Sequence, residues 1–360
     1  MSIERLFKGH QLSWLDESGP ENDIVLSSRI RLARNLRDLP FPNRADFSQL
    51  AESKGRLVSA LRDVEGELDM PFDCVAMDQL SCLEQKVLIE KYLVSQNLIK
   101  NPQYRNAFIS QDCRCSIMIN EEDHLRIQCM VSGLDLAAPF SMASQIDDIV
   151  ESKLDLAFDE KMGYLTSCPT NLGTGLRASV MLHLPGLVFT RNISNIINVS
   201  PQLGLAVRGL YGEGTEVIGN IFQISNQLTL GFSEDELIAN LTSAVREIIA
   251  HERRARKALQ LYTKERLEDE VWRAFGTLRY ARMLSDSEVL GLLSKVRLGM
   301  DLQLLDEVLP KGRFMELLIA SRTNYLKNLA GTENMSQNEI DKKRADMIRE
   351  ILTTADVRQE

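Results

Sequence analysis

Residues 167–178 read SCPTNLGTGLRA, in which a lone cysteine, Cys168, stands before a proline, two glycines and Arg177. A cysteine ahead of a polar turn can fill a core, form half of a redox pair, ligate a metal or serve as a thiolate beside cationic neighbours. The surrounding composition narrows the choice. From Lys161 to Gly212 there is no Asp or Glu, although the chain carries 51 of them; the chain average would put about seven acids in a stretch of this length. The segment keeps Lys161, Arg177, Arg191 and Arg208, so it is electropositive within a chain of net charge -9. Such a segment suits a polyphosphate.

Further arginines can converge on the same ligand. Arg29 and Arg31 in SSRIR are two apart, so on a strand both side chains leave one face. The planar guanidinium fork meets phosphate oxygens in bidentate fashion and keeps its charge. Two carboxylate-bearing stretches accompany the arginines. RGLYGEGTE places Glu213 among Gly209, Gly212 and Gly214, and NEED places Glu121, Glu122 and Asp123 just before His124 and Arg126.

Other phosphate chemistries fail on their own terms. GTGLRA fits a G-x-G-x-x-A turn, but a dinucleotide site needs an acid about 20 residues further on, inside the acid-free stretch. There is no G-x-x-x-x-G-K-[ST], and the H-R-D and D-F-G elements of protein kinases are missing. What remains is phosphoryl transfer run by arginines, which needs charge neutralisation on the transferred group and Mg2+. Paired carboxylates then call for a cationic acceptor: Glu122 and Glu213 can grip the nitrogens of a planar guanidinium and help remove its proton, with Cys168 against the same group.

Composition excludes other classes. The net charge of -9 argues against general affinity for nucleic acid or an anionic membrane. The most apolar stretch, VMLHLPGLVF, is half the length of a spanning helix and the N-terminus lacks a signal-peptide core. Six cysteines without a C-x-x-C, and four histidines far apart, suggest neither a disulfide framework nor zinc, and the cytoplasm is the expected compartment.

The elements that must position these residues follow from periodicity. Residues 24–31 alternate as a strand, and helical spacing follows near 47–66 and 78–96. SIMIN and HLRIQCM flank NEED as a hairpin, residues 142–160 return to helical spacing, and 203–210 and 221–230 read as strands. Ser233 with Glu236, Ser285 with Glu288 and Ser336 with Glu339 are capping boxes in a helix-rich remainder. The basic run HERRARK at 251–257 reads as a solvated helix face. The expected organisation is an α+β catalytic domain over 1–255 followed by an all-α domain over 256–360.

IVLSSRIR, NEEDHLR, CPTNLGTGLRA and RGLYGEGTE, in this order over residues 24–216, together resemble the ATP:guanidino phosphotransferases, the phosphagen kinase family. The resemblance implies a large antiparallel sheet flanked by helices. It implies that Glu122, Glu213 and Cys168 handle the guanidinium, and that the nucleotide lies on Ser27, Ser28, Arg29, Ile30, Arg31, Tyr92, Arg126, Arg177, Ala178, Ser179, Val180, Met181, Arg208, Gly209, Leu210, Tyr211 and Gly212, with no metal ligand from the protein. Tyr92 stands where relatives commonly place a histidine.

Kinases of free metabolites in this family carry a helical domain of roughly ninety residues before the first arginine motif, which here begins at Ser27; an open pocket suits a protein segment better than a small metabolite. That arrangement, with a helical C-terminal domain, resembles the bacterial branch acting on arginine side chains of proteins. The branch implies a homodimer and several partners: client proteins including a heat-shock repressor, a zinc-containing activator protein and a Clp unfoldase-protease. It also implies a phosphoarginine-sensing R-D-x-x-R-A motif, matched here by Asp341, Arg344 and Ala345 with Ile340 in place of the first arginine. The alternatives are a kinase of a free guanidino compound and a non-catalytic binding adaptor.

Overall fold

A computed structural model describes residues 4–8, 12–209, 217–305, 309 and 313–356. Along the chain, α1 (Arg5–Lys8) precedes β1 (Val25–Arg34), α2 (Phe47–Leu68), β2 (Phe72–Ala76), α3 (Cys82–Glu90), β3 (Asn106–Ser110), β4 (Cys115–Ile119) and β5 (Leu125–Ser132). Then come α4 (Ala137–Lys153), β6 (Phe158–Asp159), β7 (Gly163–Tyr164), β8 (Leu176–His183), α5 (Pro185–Phe189), α6 (Ile193–Val199), β9 (Leu205–Gly209) and β10 (Ile221–Asn226). The rest is helical: α7 (Glu234–Tyr262), α8 (Lys264–Tyr280), α9 (Asp286–Asp301), α10 (Arg313–Ala320), α11 (Thr323–Ala330) and α12 (Gln337–Asp356).

Eight strands form one sheet in the order β2-β3-β4-β5-β1-β8-β10-β9, every neighbouring pair antiparallel. One face carries Ile30, Leu32, Ile117, Ile127, Val180 and Ile224 into a core closed by α2, α4 and α7. Residues of opposite parity face the other way, where Met118, Met130 and Met181 join a second core shared with α3 and the C-terminal helices. Between those methionines the second face is polar. This alternation is how a period-two strand serves two environments at once.

Local signals set the element ends. Asp46 and Gln49 make a reciprocal capping box on α2, with Gln49 N–H donating to Asp46 Oδ1 at 2.9 Å. Ser233 and Glu236 do the same on α7, and Ser285 accepts from the Glu288 N–H at the start of α9. The helical spacing near 142–160 settles as Ala137–Lys153, because Asp135 accepts from the Ala137 and Ala138 N–H groups at 3.0 Å and starts the helix earlier. The helical stretch near 78–96 shortens to Cys82–Glu90, since Tyr92 turns into the left-handed region at φ +57°.

Residue 255 falls inside the continuous helix α7. Its residues Val245, Ile248, Ile249 and Ala255 belong to the first core, whereas Leu259 packs against the second. HERRARK is not wholly solvated. Arg256 is only 4 % exposed and donates to Glu252 at 2.7 Å, Asp301 at 3.0 Å and the Asp23 carbonyl at 3.2 Å. Glu252 also caps α5 through the Gly186 and Leu187 N–H groups, both at 2.8 Å. Charges inside a helix-to-helix junction read as surface in sequence because their partners lie tens to hundreds of residues away.

Candidate active site

The polar face is assembled by strand register. Arg31 lies across from Gln128 on β5 and Arg177 on β8, Ala33 across from Arg126, and Arg29 across from Ser179. Gln223 of β10 lies across from Arg208 of β9. Arg29, Arg31, Arg126, Arg177 and Arg208 therefore emerge on one face of neighbouring strands. The two-residue spacing of Arg29 and Arg31 delivers them to that common face; Arg34, of opposite parity, enters the other side and is bound by Asp147 at 2.6 Å.

Neutral side chains hold the arginines in place. Arg29 donates to Ser179 Oγ at 3.2 Å and to Gln223 Oε1 at 2.7 Å, and Arg177 donates to Ser225 Oγ at 3.2 Å. Gln128 is fixed by donating to the Tyr92 carbonyl at 2.8 Å. Burial and the like charges of Arg177 and Arg126 pull Arg29 down to about 10. Arg31 is also lowered well below its usual value, by burial and then by Arg29, Arg126 and Arg177, and Arg177 is lowered by burial, Arg208 and Arg126. Among the described residues, the buried Nε atoms of Arg31 and Arg177 have no hydrogen-bond partner. Unpaired donors in a cluster of like charge are costly unless an anion meets them. A polyphosphate fits that deficit.

Two loops close over this face. Arg31, Glu122, Arg126, Cys168, Asn171 and Arg177 all line one cleft of about 70 Å3. In the β4–β5 turn, Glu121 is buried and pairs with Arg126 at 2.7 Å, while Glu122, partly exposed, pairs with the same arginine at 3.0 Å. Cys168 Sγ lies 3.0 Å from Thr170 Oγ1. The glycines of the Cys168 loop are sterically required. Gly175 has φ +66°, and a Cβ there would lie 2.5 Å from an Arg34 nitrogen and 2.6 Å from the Ala33 carbonyl oxygen.

Sequence reasoning did not single out the group that ties these loops together. Asp123 is fully buried, and its Oδ1 accepts from the Ser167 N–H at 2.6 Å and from Asn35 Nδ2 at 2.7 Å. Asn35 in turn accepts from the His124 N–H at 2.9 Å and donates to the Leu165 carbonyl at 3.0 Å. One carboxylate thus joins the end of β1, the NEED turn and the residue before Cys168. The only sequence signal was its place in the acidic turn.

The remaining expected positions divide by parity. Ser27, Ser179 and Met181 share the face of Arg29, whereas Ile30, Ala178 and Val180 point into the opposite core. Ser28 is also turned away, donating to the Gly133 carbonyl at 2.8 Å. Tyr92 sets its ring edge-on to Trp14 at 5.8 Å. Arg208 and Gly209 end β9; Leu210, Tyr211, Gly212 and Glu213 lie outside the described residues. Asp341, Arg344 and Ala345 are on α12, remote from the cleft in the second core. Arg344 is fully buried and donates to the Ser321 and Leu284 carbonyls at 2.7 Å, to Thr323 Oγ1 at 3.1 Å and to Asp341, while Ile340 is 2 % exposed.

An ATP:guanido phosphotransferase C-terminal catalytic domain model matches residues 54–255. The fold is similar to that of lombricine kinase, with a TM-score of 0.57 and 27 % identity over 70 % of this chain and 75 % of that one. It is equally similar to the duplicated taurocyamine kinase of Schistosoma mansoni with bound transition state analog components, at TM-score 0.58 and 27 % identity; the match covers 69 % of this chain and 36 % of that one. The chain belongs to the ATP:guanidino phosphotransferase family, and is an enzyme that uses ATP.

Its helical part is matched over residues 264–360 by a model described as the protein-arginine kinase McsB C-terminal domain. Curated relatives include the protein-arginine kinases of Desulforamulus reducens and Bacillus subtilis. Both are 45 % identical over 98 % of this chain, covering 99 % and 96 % of their own lengths. These matches place the chain in the protein-arginine kinase branch of the family.

Proposed function

We propose that this enzyme transfers the γ-phosphoryl group of Mg-ATP to the guanidino group of arginine side chains in proteins. The observation that carries the reading is the single cleft in which Arg31, Arg126 and Arg177 meet Glu122 and Cys168. Arg29, Arg31, Arg126, Arg177 and Arg208 would hold the donor's phosphates and screen the charge on the transferred group. When bound there, Mg2+ adds a further positive charge against those phosphates.

The acceptor side is carboxylate and thiol. Glu122 would bind the acceptor guanidinium by paired hydrogen bonds, turn one nitrogen toward the donor and take up its proton; Glu213 is assigned the same work from the other loop. Cys168 orients the guanidinium and accepts no phosphate. Catalysis in this scheme is positioning and charge complementarity on a rigid sheet. Ser179, Gln223 and Ser225 serve by fixing the arginines before the substrates arrive.

Protein clients are supported by the 45 % identical relatives that carry this activity in their names. The sequence motifs' resemblance to that branch is the ground for proposing further clients that include a heat-shock repressor, a zinc-containing activator protein, removal of marked proteins by a Clp unfoldase-protease in the stress response, a homodimer, and work in the cytoplasm. No described helix is long and apolar enough to cross a membrane. The resemblance likewise supports division into a catalytic domain over 1–255 and a dimerising or regulatory domain over 256–360.

The test offers purified protein Mg-ATP with an unfolded arginine-rich protein in one tube and free L-arginine in another. Phosphorus NMR at mildly alkaline pH preserves the acid-labile phosphorus–nitrogen bond. Signal in the protein tube alone is the expected result. Signal with free arginine would make this a metabolite kinase, and a Glu213→Gln variant that keeps every effect on clients would make it an adaptor.

A further inference from the structure

The turn that carries Cys168 is held from a distant part of the chain. Residues Pro169–Asn171 form one short 3-10 turn, closed by the Asn171 and Leu172 N–H groups, which donate to the Cys168 and Pro169 carbonyls at 2.9 and 3.3 Å. The Thr170 and Leu172 carbonyls stand outside that pattern and need another donor. Thr229 supplies it. This residue is only 4 % exposed, and its hydroxyl lies 2.6 Å from the Leu172 carbonyl oxygen and 3.1 Å from that of Thr170, so one O–H is shared between the two.

Thr229 follows a strand that is already tied to the other half of the cleft. On β10, Gln223 accepts from Arg29 at 2.7 Å and Ser225 accepts from Arg177 at 3.2 Å. Asn226, buried at the end of that strand, accepts from the Ala178 N–H at 2.8 Å and donates to the Leu176 and Leu228 carbonyls, both at 3.1 Å. Residues 223–229 contain neither glycine nor proline, and the four residues from Ser225 to Thr229 span at most about 13 Å. The segment and the Cys168 loop also touch through their backbones. Gly173 has φ +110°, and a Cβ there would lie 2.8 Å from the Thr229 carbonyl oxygen and 2.9 Å from Leu230 Cα, so only glycine allows this approach.

We infer that Thr229 is a positioning residue for phosphoryl transfer. Through Leu172 and through Thr170, whose hydroxyl lies 3.0 Å from Cys168 Sγ, it sets the acceptor side of the cleft. Gln223 and Ser225 of the same segment set two of the arginines assigned to the donor. One stretch of chain thereby fixes the spacing between the two substrates, which transfer needs to better than about 1 Å. The inference rests on the proposed kinase activity and deepens it by a residue that touches neither substrate.

The test compares the full wild-type chain with Thr229→Val, which keeps the branched shape and removes the hydroxyl. With an unfolded arginine-rich protein as acceptor, kcat should fall about ten-fold. That is less than the roughly 10²-fold of a full 1 Å displacement, because Asp123 still holds Ser167. KM for ATP should stay within two-fold, since Gln223 and Ser225 keep their arginines. Amide hydrogen exchange, read by mass spectrometry, should quicken about ten-fold over residues 169–172 and stay unchanged over 221–226. Thr229→Ser restores a hydroxyl and should restore both the rate and the exchange.

A valine variant with wild-type kcat overturns the inference. So does a fall in kcat accompanied by faster exchange over 221–226, which would make Thr229 a general stabiliser, and so does a serine variant no better than the valine one. If the wild-type protein phosphorylates neither a protein nor free arginine while the exchange contrast and its rescue by serine appear, the hold of Thr229 on the loop stands and the proposed activity falls.

Discussion

Replacing Asp123 by alanine is expected to disable transfer more than it weakens nucleotide binding. The carboxylate is buried and accepts from Ser167 and Asn35 at 2.6 and 2.7 Å. Hydrogen bonds to a charged group are worth about 1.5–3 kcal/mol each, so losing both costs roughly 3–6 kcal/mol, part of it as stability and part as mobility of the Cys168 loop. A displacement of about 1 Å at a reacting group lowers the rate by about 10²-fold. We expect kcat to fall by about that factor while KM for ATP changes less than three-fold, because Arg29 and Arg177 are held by Ser179, Gln223 and Ser225, which do not depend on Asp123. Asp123→Asn keeps one acceptor oxygen and should restore much of the rate. Steady-state kinetics supplies the first readout, and amide hydrogen exchange at Ser167 supplies the second, since that N–H loses its acceptor only in the alanine variant. An alanine variant with lowered Tm, unchanged kcat and unchanged exchange at Ser167 would refute the reasoning.

Three further perturbations test other parts of the structure. Arg31→Met relieves repulsion among Arg29, Arg31, Arg126 and Arg177, so the ligand-free protein should melt a few degrees higher, roughly 1 kcal/mol, while the thermal shift produced by ATP disappears. Burial raises Asp301 from 3.8 to about 6, so the folded state binds more protons than the unfolded state between about pH 4 and 6. The sign follows: this group's contribution is fully present below pH 4 and is lost, by about 3 kcal/mol, as pH rises through 6. Denaturant titrations from pH 4 to 7 should show that slope in the wild-type protein and not in Asp301→Asn. Arg344→Ala strands the Ser321 and Leu284 carbonyls and Asp341 in the second core. It should cost about 3–5 kcal/mol by chemical denaturation, whereas Asp341→Asn, on a partly exposed partner, should cost less than half as much.

The local features were legible in the sequence. Two arginines two apart, a polar turn between β-like runs and serine-to-glutamate capping pairs are all read within a few residues, and each appears as an element or a shared face. Of the four basic residues in the acid-free stretch, Arg177 and Arg208 reach the polar face. β8 was not legible as a strand: LRASVMLH is almost wholly buried on both faces of a central strand, so it lacks the alternation that marks half-exposed strands. The Asp123 to Ser167 bond joins residues 44 apart, and no local pattern encodes it. Glu122 was singled out in NEED as a carboxylate able to grip a planar guanidinium. The structure adds that Glu121 is the buried member and holds Arg126 from below, a distinction that only the turn's backbone conveys.

Helix α7 has a mechanical consequence. Its 29 residues, without a proline or glycine, make a rod about 43 Å long. The first two-thirds backs the sheet; the final turns enter the helical region beyond residue 255. The Glu252 and Arg256 network clamps it near that crossing, so the clamp works as a fulcrum. A tilt of about 5° about that clamp moves the near, C-terminal end by roughly 1 Å and the far end by roughly 2.6 Å, in opposite senses. A small displacement at the C-terminal end is thereby passed, enlarged, to the end that backs the sheet.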